Sequence, residues 1–291
     1  MKAVVHNRFG GPEVLELVEL SEPKVNVDAV LVRVKAAAVN PADLGMRAGV
    51  LADALDTYFP VVPGWDIAGI VERAGPGAPE FAPGDDVIGY VRGEVQHRHG
   101  AYAEKVSADV RTLIRKPRTL SWAEAAALPL GGLTAYQAVR ALRVVAGETV
   151  LVHGAAGGVG SLAAQIARAR GARVLGTASR DDYDYLRSLG VEPVDALAGK
   201  VDAVLDTVGN GALSGTPAGV RTASIAEFSH PGVVPVFARL DHADLRALVD
   251  LAESGDLTPR VGLTFPLAEA ALAQEAVAKG HTRGKVVLEV S

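Results

Sequence analysis

The chain has 291 residues, of which 49% are hydrophobic and 22% charged, the composition of a globular protein long enough for two domains. Its 29 basic and 34 acidic residues give a formal net charge of −5 and form no basic block, which disfavours nucleic acid and anionic membranes as main partners. The absence of cysteine excludes disulfides, iron–sulfur clusters and thiolate-ligated zinc, and no apolar run reaches the roughly 18 residues of a membrane span. We therefore expect a cytoplasmic enzyme or binding protein.

Short β-rich segments separated by turns occupy the first part of the chain, up to Tyr90. Strands are predicted at residues 2–6, 14–18, 29–38, 67–71 and 87–90. Turn dipeptides such as Pro63-Gly64 and Pro83-Gly84 separate them. Because these strands are short and closely spaced and no helical repeat is sustained, this part is predicted to form a compact, barrel-like β domain.

From about Lys116 onward, helical and β segments alternate. Ser121 and Glu124 have the spacing of a capping box, and the helix after them should run through residues 125–128. Further helices are predicted at residues 134–142, 159–170, 181–189 and 267–278, and strands at 150–153, 173–176, 201–206 and 285–288. Strand–helix–strand alternation predicts right-handed crossovers and a parallel, doubly wound sheet, so the fold class is α/β.

A glycine-rich motif follows the predicted strand at 150–153 and opens the next helix. It consists of Gly154, Ala155, Ala156, Gly157, Gly158, Val159 and Gly160. Because a helix N-terminus presents unpaired N–H groups and the positive end of a dipole, it attracts a diphosphate. Gly157 would let the backbone approach the phosphates and Gly160 would let the helix pack closely on the strand, although Ala155 replaces the first glycine of the usual pattern. The motif predicts a dinucleotide site; the alternative is a tight turn without a ligand.

The end of the next strand favours one coenzyme over the other. NAD sites usually carry Asp or Glu there to bind the ribose 2′-hydroxyl, but this strand ends in Thr177-Ala178-Ser179-Arg180. The guanidinium of Arg180 and the hydroxyl of Ser179 suit a 2′-phosphate, since arginine offers bidentate, charge-assisted contacts. NADPH is therefore the predicted coenzyme, and the alternative is that Arg180 is a solvated surface charge.

Segments distributed over nearly the whole chain carry a family resemblance. They are Phe9–Leu15, Ala38–Asp43, Pro63–Gly69, Phe81–Val87, Gly132–Tyr136, Gly154–Gly160 and Arg283–Leu288. In content and order they resemble the zinc-independent quinone oxidoreductase and enoyl reductase branch of the medium-chain dehydrogenase/reductase superfamily. The resemblance implies a Rossmann-type doubly wound parallel sheet plus a GroES-like β-barrel catalytic domain, and it implies a homodimer. The catalytic domain would comprise residues 1–118 and 263–291, and the NADP-binding domain residues 119–262.

The residues at the superfamily's zinc positions predict that this chain binds no metal. In the zinc alcohol dehydrogenases of the superfamily, a Cys stands where this chain has Asn40, and a His-Glu pair stands where it has Trp65-Asp66. Neither replacement leaves a tetrahedral zinc set, and His97 and His99 lack a third ligand at a recognisable spacing. Without a metal Lewis acid to stabilise an alkoxide, simple alcohol oxidation is disfavoured, and an acceptor already polarised by conjugation is favoured.

The resemblance also implies where the site residues lie. Asn40, the catalytic candidate, and Thr134 would lie near the nicotinamide, and Asn40 would bond the cofactor ribose or polarise an acceptor oxygen. The other implied coenzyme contacts are the loop from Gly154 to Gly160, Ser179, Arg180, Tyr183, Ser224, Ile225 and Lys285. The substrate pocket is predicted to include Tyr58, Trp65 and Tyr90.

The sequence assigns neither the proton donor nor the structure of the segment 209–240. Some quinone and enoyl reductases have a Tyr two residues beyond the position of Asp43, but this chain has Gly45 there, so the proton donor is unassigned. Tyr58, Tyr90 and Arg47 are substitutes by chemistry only. The segment 209–240 is shorter than in typical members, and its density of Gly and Pro argues against a full-length helix.

Three functions are compatible with these features. The first is hydride transfer from NADPH to a quinone or an α,β-unsaturated carbonyl compound, which requires mainly that coenzyme and acceptor be held together in a dry cleft. The second is reduction of an enoyl thioester, for which Arg92, His97, Arg98 and His99 would form a basic entrance. The third is NADPH binding without redox chemistry.

Overall fold

The computed structural model describes residues 1–92, 99–196 and 199–290. Contacts between Cα atoms divide the chain into two compact units, one formed by residues 1–130 and the segment from 261 onward, the other by residues 131–260. Among the described residues, no helix has both the length and the apolar character needed to cross a membrane.

The strands and helices are numbered in chain order. The strands are β1 (Lys2–Val5), β2 (Glu16–Glu19), β3 (Ala29–Val39), β4 (Asp66–Ala74), β5 (Asp86–Tyr90), β6 (Lys105–Asp109), β7 (Leu113–Arg115), β8 (Thr149–His153), β9 (Arg173–Thr177), β10 (Glu192–Pro193), β11 (Ala203–Asp206), β12 (Arg221–Ser224), β13 (Val233–Pro235), β14 (Val261–Pro266) and β15 (Lys285–Glu289). The helices are α1 (Pro41–Ala48), α2 (Trp122–Ala126), α3 (Pro129–Ala141), α4 (Gly160–Ala169), α5 (Tyr183–Ser188), α6 (His242–Glu253) and α7 (Ala270–Lys279).

The first unit is built on a largely antiparallel sheet. Its strands lie in the order β14-β15-β3-β4-β5-β7, and β6 pairs with β3. In the described part of this unit, β14 and β15 pair in parallel and the other pairs of this sheet are antiparallel. Strands β1 and β2 form a separate antiparallel pair. Buried side chains from several of these strands form one core, among them Val4, Val32, Val106 and Leu288. The β-rich first domain predicted from the sequence is confirmed.

The second unit contains a sheet in which every pair of neighbouring strands is parallel. The strands lie in the order β10-β9-β8-β11-β12-β13, so the chain first builds the sheet outward from β8 to one side and then from β11 to the other. Helix α4 packs on β8 and β9, and α5 packs on β10. This is the predicted doubly wound sheet, with its change of direction at the ends of β8 and β11, where such sheets bind ligands.

One prediction for the first unit was wrong, because α1 is a helix in the part expected to lack one. Asn40 is its N-cap, Pro41 stands at its first position, and the Asn40 N–H donates to Asp43 Oδ2 at 2.8 Å. The sequence carried this signal, since Asn, Pro and a capping acid at this spacing favour a helix start. The helix was missed because it is short and lies between long β segments.

Other element ends differ from prediction for local reasons. Helix α3 begins at Pro129 rather than at 134, since proline is favourable at a helix start even before two glycines. The strand predicted at 14–18 begins at Glu16 because Pro12–Val14 forms a 3-10 turn. The chain from 207 to 220 forms turns and no helix, as its Gly and Pro content predicted.

Candidate active site

The glycine-rich loop, residues 154–160, joins the carboxyl end of β8 to α4. Gly154 has a φ of +73°, a left-handed backbone conformation that favours glycine. A Cβ atom at Gly160 would lie 2.1 Å from the Gly154 carbonyl oxygen, so only glycine lets α4 start this close to the strand. This is the close packing that the sequence predicted for Gly160.

The loop fits the diphosphate of a dinucleotide. Within the described part of the chain, no side chain caps the N-terminus of α4, where Val159 is the N-cap. The Ala155 N–H donates to Thr177 O at 2.9 Å, which fixes the loop against β9. A Cβ at Gly157 would lie 3.2 Å from Gly154 O, so any side chain at Gly157 would crowd the backbone at the start of α4. An anionic diphosphate binds where helix N–H groups are free to donate and no side chain prevents it from approaching the backbone.

Beyond β9, two of the residues predicted for the adenosine end of the coenzyme contact an acid that sequence reasoning missed, Asp195. Arg180 Nη2 lies 3.3 Å from Asp195 Oδ2, and the Tyr183 hydroxyl donates to Asp195 Oδ1 at 2.7 Å. The Ser179 hydroxyl donates to Asp182 Oδ2 at 2.7 Å. The Arg180 side chain is 81% exposed, so its guanidinium is available to an anionic ligand despite the ion pair.

The predicted nicotinamide-side residues of the second unit have different surroundings. Thr134 lies in α3 and is largely buried. Ser224 ends β12, and its hydroxyl donates to Asp206 Oδ2 at 2.7 Å and accepts from the Glu227 N–H at 2.7 Å. The Ile225 N–H donates to Asp206 O at 3.1 Å. The Ser224 hydroxyl therefore holds the turn after β12, and the coenzyme contacts of Ser224 and Ile225 remain a prediction.

In the first unit, five buried polar residues form what we call the polar cluster. They are Asn40, Asp43, Asp66, Tyr102 and Lys285, all less than a tenth exposed. Strand pairing brings Asn40, Asp66 and Lys285 together, because Ala38 of β3 pairs with Asp66 of β4, and Val39 of β3 pairs with Val286 of β15. Asn40, which follows β3, therefore lies between the first residues of β4 and β15.

Hydrogen bonds join the members of the polar cluster. Asn40 Nδ2 donates to Asp66 Oδ2 at 2.9 Å, and Lys285 Nζ donates to Asn40 Oδ1. Asp66 Oδ1 accepts from the Leu130 N–H at 2.8 Å. The Tyr102 hydroxyl donates to Asp43 Oδ2 at 3.0 Å, while Asp43 Oδ1 has no partner among the described residues.

Burial controls the charge of the polar cluster. It raises the pKa of the Asp43 carboxyl to about 7 and that of Asp66 to about 6, although the Lys285 ammonium lowers both. Burial lowers the pKa of Lys285, and the two carboxylates oppose this effect. One ammonium faces two carboxyl groups, so a proton kept on one of the carboxyls leaves the cluster electrically balanced.

The donor atoms in the polar cluster do not fit a zinc ion. Asn40 Oδ1 is occupied by an ammonium donor, and Asp66 uses both carboxylate oxygens as hydrogen-bond acceptors. The described residues contain no group of three or more His, Asp or Glu side chains placed to hold a metal. Of the two histidines considered as ligands, His97 lies outside the described residues. The predicted independence from zinc remains a prediction with this support.

The three predicted substrate-pocket residues lie in different places. Trp65 lines a cavity in the first unit together with His6, Met46, Val62, Arg92 and His99. Tyr90 is buried and meets the Trp65 ring edge-on, with centroids 6.0 Å apart. Tyr58 is exposed on the surface. The structure thus brings Trp65 and Tyr90 together and leaves Tyr58 apart.

Part of the predicted basic entrance borders the same cavity. The Arg92 guanidinium lies over the Trp65 ring, 5.3 Å from its centroid, and His99 is among the lining residues. His97 and Arg98 lie outside the described residues. His6, which no sequence pattern indicated, faces the cavity with its Nε2 atom unpartnered in the described part of the chain.

Comparison with known proteins places the chain in a family. Residues 26–118 match the alcohol dehydrogenase GroES-like domain, and residues 175–288 match the zinc-binding dehydrogenase family. The chloroplastic NADPH-dependent alkenal/one oxidoreductase of Arabidopsis thaliana is 33% identical over 306 residues, which cover 99% of this chain and 79% of that protein.

Solved structures agree with this assignment. The quinone oxidoreductase from Coxiella burnetii has a TM-score of 0.88 at 32% identity, covering 100% of this chain and 99% of that one. A structure described as an NAD-dependent alcohol dehydrogenase has a TM-score of 0.90 at 35% identity and covers 100% of both chains.

The fold and the glycine-rich loop define a pyridine-nucleotide-dependent oxidoreductase with a GroES-like domain and a Rossmann-type domain. The chain belongs to the medium-chain dehydrogenase/reductase superfamily, in the branch that contains quinone and alkenal/one oxidoreductases. The family resemblance and the fold class predicted from the sequence are both confirmed.

Proposed function

We propose that the protein is an NADPH-dependent reductase that transfers hydride to a quinone or an α,β-unsaturated carbonyl compound, without a metal ion. The observation that carries this proposal is the N-terminus of α4, which no described side chain caps, next to the glycine-rich loop and with the exposed Arg180 beyond β9. The Arabidopsis alkenal/one oxidoreductase and the Coxiella quinone oxidoreductase support this class of acceptor.

In this proposal each part of the second unit has one task. The backbone N–H groups of residues 154–160 bind the diphosphate, and Ser179 and Arg180 bind the 2′-phosphate. Tyr183 borders the adenosine end. The bound coenzyme supplies the hydride, and NADPH, rather than NADH, is favoured because the segment after β9 presents the exposed guanidinium of Arg180, whose ion-pair partner Asp195 is itself largely exposed.

In this proposal the first unit binds the acceptor. Trp65 and the other lining residues offer a cavity of mixed apolar and polar lining, which can hold a small conjugated molecule that carries a carbonyl oxygen. Hydride addition leaves an enolate or hydroquinone anion, which hydrogen-bond donors stabilise until it takes up one proton. Asn40 has amide N–H groups for this purpose, and we assign it the contact with the acceptor oxygen or the cofactor ribose.

A second candidate is reduction of an enoyl thioester. It is favoured by Arg92 and His99 at the Trp65 cavity, since a guanidinium and an imidazole there could bind the phosphates of a carrier or coenzyme A. The two candidates differ in acceptor and share the coenzyme site.

We further propose a homodimer formed through the edge of the second unit's sheet. Strand β13 is the last strand of that sheet, and its Val234 is exposed. Near it in sequence, the exposed rings of Phe228 and Phe237 pack together with centroids 4.8 Å apart. A single monomeric mass in light scattering at working concentrations would contradict this part of the proposal.

The decisive experiment is a screen of NADPH oxidation against naphthoquinones, simple enones and enoyl-CoAs, with NADH run in parallel. We expect turnover with quinones or enones that is faster with NADPH and unchanged after treatment with a metal chelator. Turnover only with enoyl-CoA supports the second candidate. NADPH binding without turnover on any acceptor indicates a coenzyme-binding protein and contradicts the proposal, as does chelator-sensitive oxidation of alcohols.

A further inference from the structure

Lys285 has surroundings that differ from those of a coenzyme-binding lysine. It is the first residue of β15, only 6% of it is exposed, and its ammonium donates to Asn40 Oδ1. The family resemblance placed this residue among the coenzyme contacts. In the structure its Nζ atom instead bonds Asn40, a side chain of the same unit.

The contacts of Asn40 fix which way its amide points. An ammonium group can only donate hydrogen bonds and an ionised carboxylate can only accept them. Asn40 therefore satisfies both neighbours only with Oδ1 toward Lys285 and Nδ2 toward Asp66. A flipped amide would set two donors against each other at one end and two acceptors at the other.

In this arrangement one Nδ2 hydrogen of Asn40, a residue that is 3% exposed, is only weakly bonded. One Nδ2 hydrogen is used by Asp66 at 2.9 Å. The other reaches only the Ala38 carbonyl oxygen at 3.5 Å, a long contact that a better acceptor replaces at little cost. An oxygen of a bound acceptor or of a ribose is such an acceptor.

The two carboxyl groups of the polar cluster act on the charge of Lys285. Asp66 and Asp43 both attract its ammonium and oppose the effect of burial on its charge. A buried ammonium without such partners would be costly, and removing one partner of a buried charge pair usually destabilises a protein strongly. The acids therefore oppose the loss of charge on Lys285, whose Nζ atom donates to Asn40 Oδ1.

We propose that Lys285 is a positioning residue that acts on hydride transfer through the Asn40 amide and does not itself hold the coenzyme. This inference rests on the proposed reductase function. The two possible roles of Lys285 are binding the coenzyme and orienting Asn40. The sequence could not distinguish them, because both give the same sequence pattern.

The test compares Lys285→Met, which keeps the length of the side chain, with Asn40→Ala and with the double variant. For each, the Kd for NADPH is measured by fluorescence titration, and kcat and KM are measured with the best acceptor from the screen. We expect Lys285→Met to lower kcat at least tenfold and to change the Kd for NADPH less than twofold. The double variant should be no slower than Asn40→Ala alone, because two residues that act through one group are not additive.

Two further variants keep the result interpretable. Lys285→Gln retains a donor for Asn40 Oδ1 and should recover part of kcat, and it replaces Lys285→Met if that variant does not fold. Asp244→Asn removes a buried carboxylate from an ion pair with Arg140 in the second unit. It should lower the unfolding temperature as much as Lys285→Met does and leave kcat unchanged.

Specific outcomes would overturn the inference. A tenfold rise in the Kd for NADPH with unchanged kcat would mean that Lys285 holds the coenzyme. Effects of Asn40→Ala and Lys285→Met that multiply in the double variant would mean that the two residues act independently. A wild-type protein that binds NADPH but reduces no acceptor would refute the reductase function as well, whereas an active wild type with an equally active Lys285→Met variant refutes this inference alone.

Discussion

The glycine-rich loop and the polar cluster hold their functional groups by different means. In the loop, contiguous residues 154–160 shape a backbone whose N–H groups would bind the diphosphate in the proposed function. In the polar cluster, the working groups are side chains from distant segments, such as Asn40, Asp66 and Lys285, which strand pairing brings together. A local site of the first kind is encoded in a short motif, while a site of the second kind depends on the whole sheet.

The two regions also differ in burial, which sets the size of the effects expected from mutation. Lys285 is 6% exposed, whereas the side chain of Arg180, beyond the glycine-rich loop, is 81% exposed. Charge pairs in the protein interior are strongly coupled to folding, and exposed pairs contribute roughly 0 to 1 kcal/mol. The polar cluster should therefore respond to mutation mainly through stability and turnover, and the surface residues mainly through coenzyme preference.

The largest effect is expected from Asp66→Ala in the polar cluster. The variant removes the acceptor of both Asn40 Nδ2 and the Leu130 N–H, and it takes a counter-charge from Lys285. We expect a loss of about 3–5 kcal/mol in the free energy of unfolding, measured by urea denaturation. Asp66→Asn, which keeps one acceptor oxygen, should lose less. A loss below about 1 kcal/mol in Asp66→Ala would show that the cluster is not a coupled unit.

In the glycine-rich loop, Gly160→Ala should give the next largest effect. Its Cβ would lie 2.1 Å from the Gly154 carbonyl oxygen, so backbone must move. We expect a loss of about 1–3 kcal/mol in the free energy of unfolding and a clear rise in the Kd for NADPH. Gly45→Ala is the control, because its Cβ would approach Val50 only to 3.9 Å and alanine favours a helix. Equal stability of the two variants would argue against the close packing.

The pH dependence of stability distinguishes the polar cluster from the exposed acids. Burial raises the pKa of Asp43 from 3.8 to about 7, so the folded protein binds this proton more tightly than the unfolded chain. The resulting stabilisation is complete below the unfolded pKa and is lost as the pH rises through the folded pKa. Urea denaturation across this range should show a flatter pH profile in Asp43→Asn than in the wild type. Parallel profiles would contradict the raised pKa.

Much of the second unit could be predicted from sequence because its signals are local. The alternation of strands and helices, the glycine-rich motif after β8 and the Gly and Pro content after β11 each follow from short-range preferences. The start of α1 was equally local, in Asn40, Pro41 and Asp43, and was overlooked only because the helix is short.

The polar cluster could not be predicted because its assembly depends on register. The sequence indicates neither that Ala38 pairs with Asp66 nor that Val39 pairs with Val286, and these pairings place Lys285 beside Asn40. Tyr102 belongs to no recognisable sequence motif, so its place in the cluster could not be predicted. Asp195 was missed for a similar reason, because its contact with Arg180 bridges two segments that only the fold brings together.

Among the exposed residues, Arg180→Ala should have a moderate and selective effect. If its guanidinium binds the 2′-phosphate, the variant loses a charge-assisted contact that NADH does not make. We expect about a tenfold rise in the Kd for NADPH and little change for NADH, both measured by fluorescence titration. Equal changes for the two coenzymes would remove Arg180 from the phosphate site.

The smallest effect is expected from Asp195→Asn. Asp195 pairs with Arg180 at 3.3 Å, and both side chains are largely exposed, so the pair competes only weakly with a bound phosphate. The asparagine still accepts the hydrogen bond from the Tyr183 hydroxyl but no longer attracts the guanidinium. We expect the Kd for NADPH to fall about two- to fivefold, which corresponds to roughly 0.4–1 kcal/mol, within the range of an exposed ion pair, with no change for NADH. In the Arg180→Ala background the same substitution should have no effect. Weaker NADPH binding in Asp195→Asn would instead mean that Asp195 orients Arg180 toward the phosphate, which would make this surface pair resemble Asp66 and Lys285 in the interior.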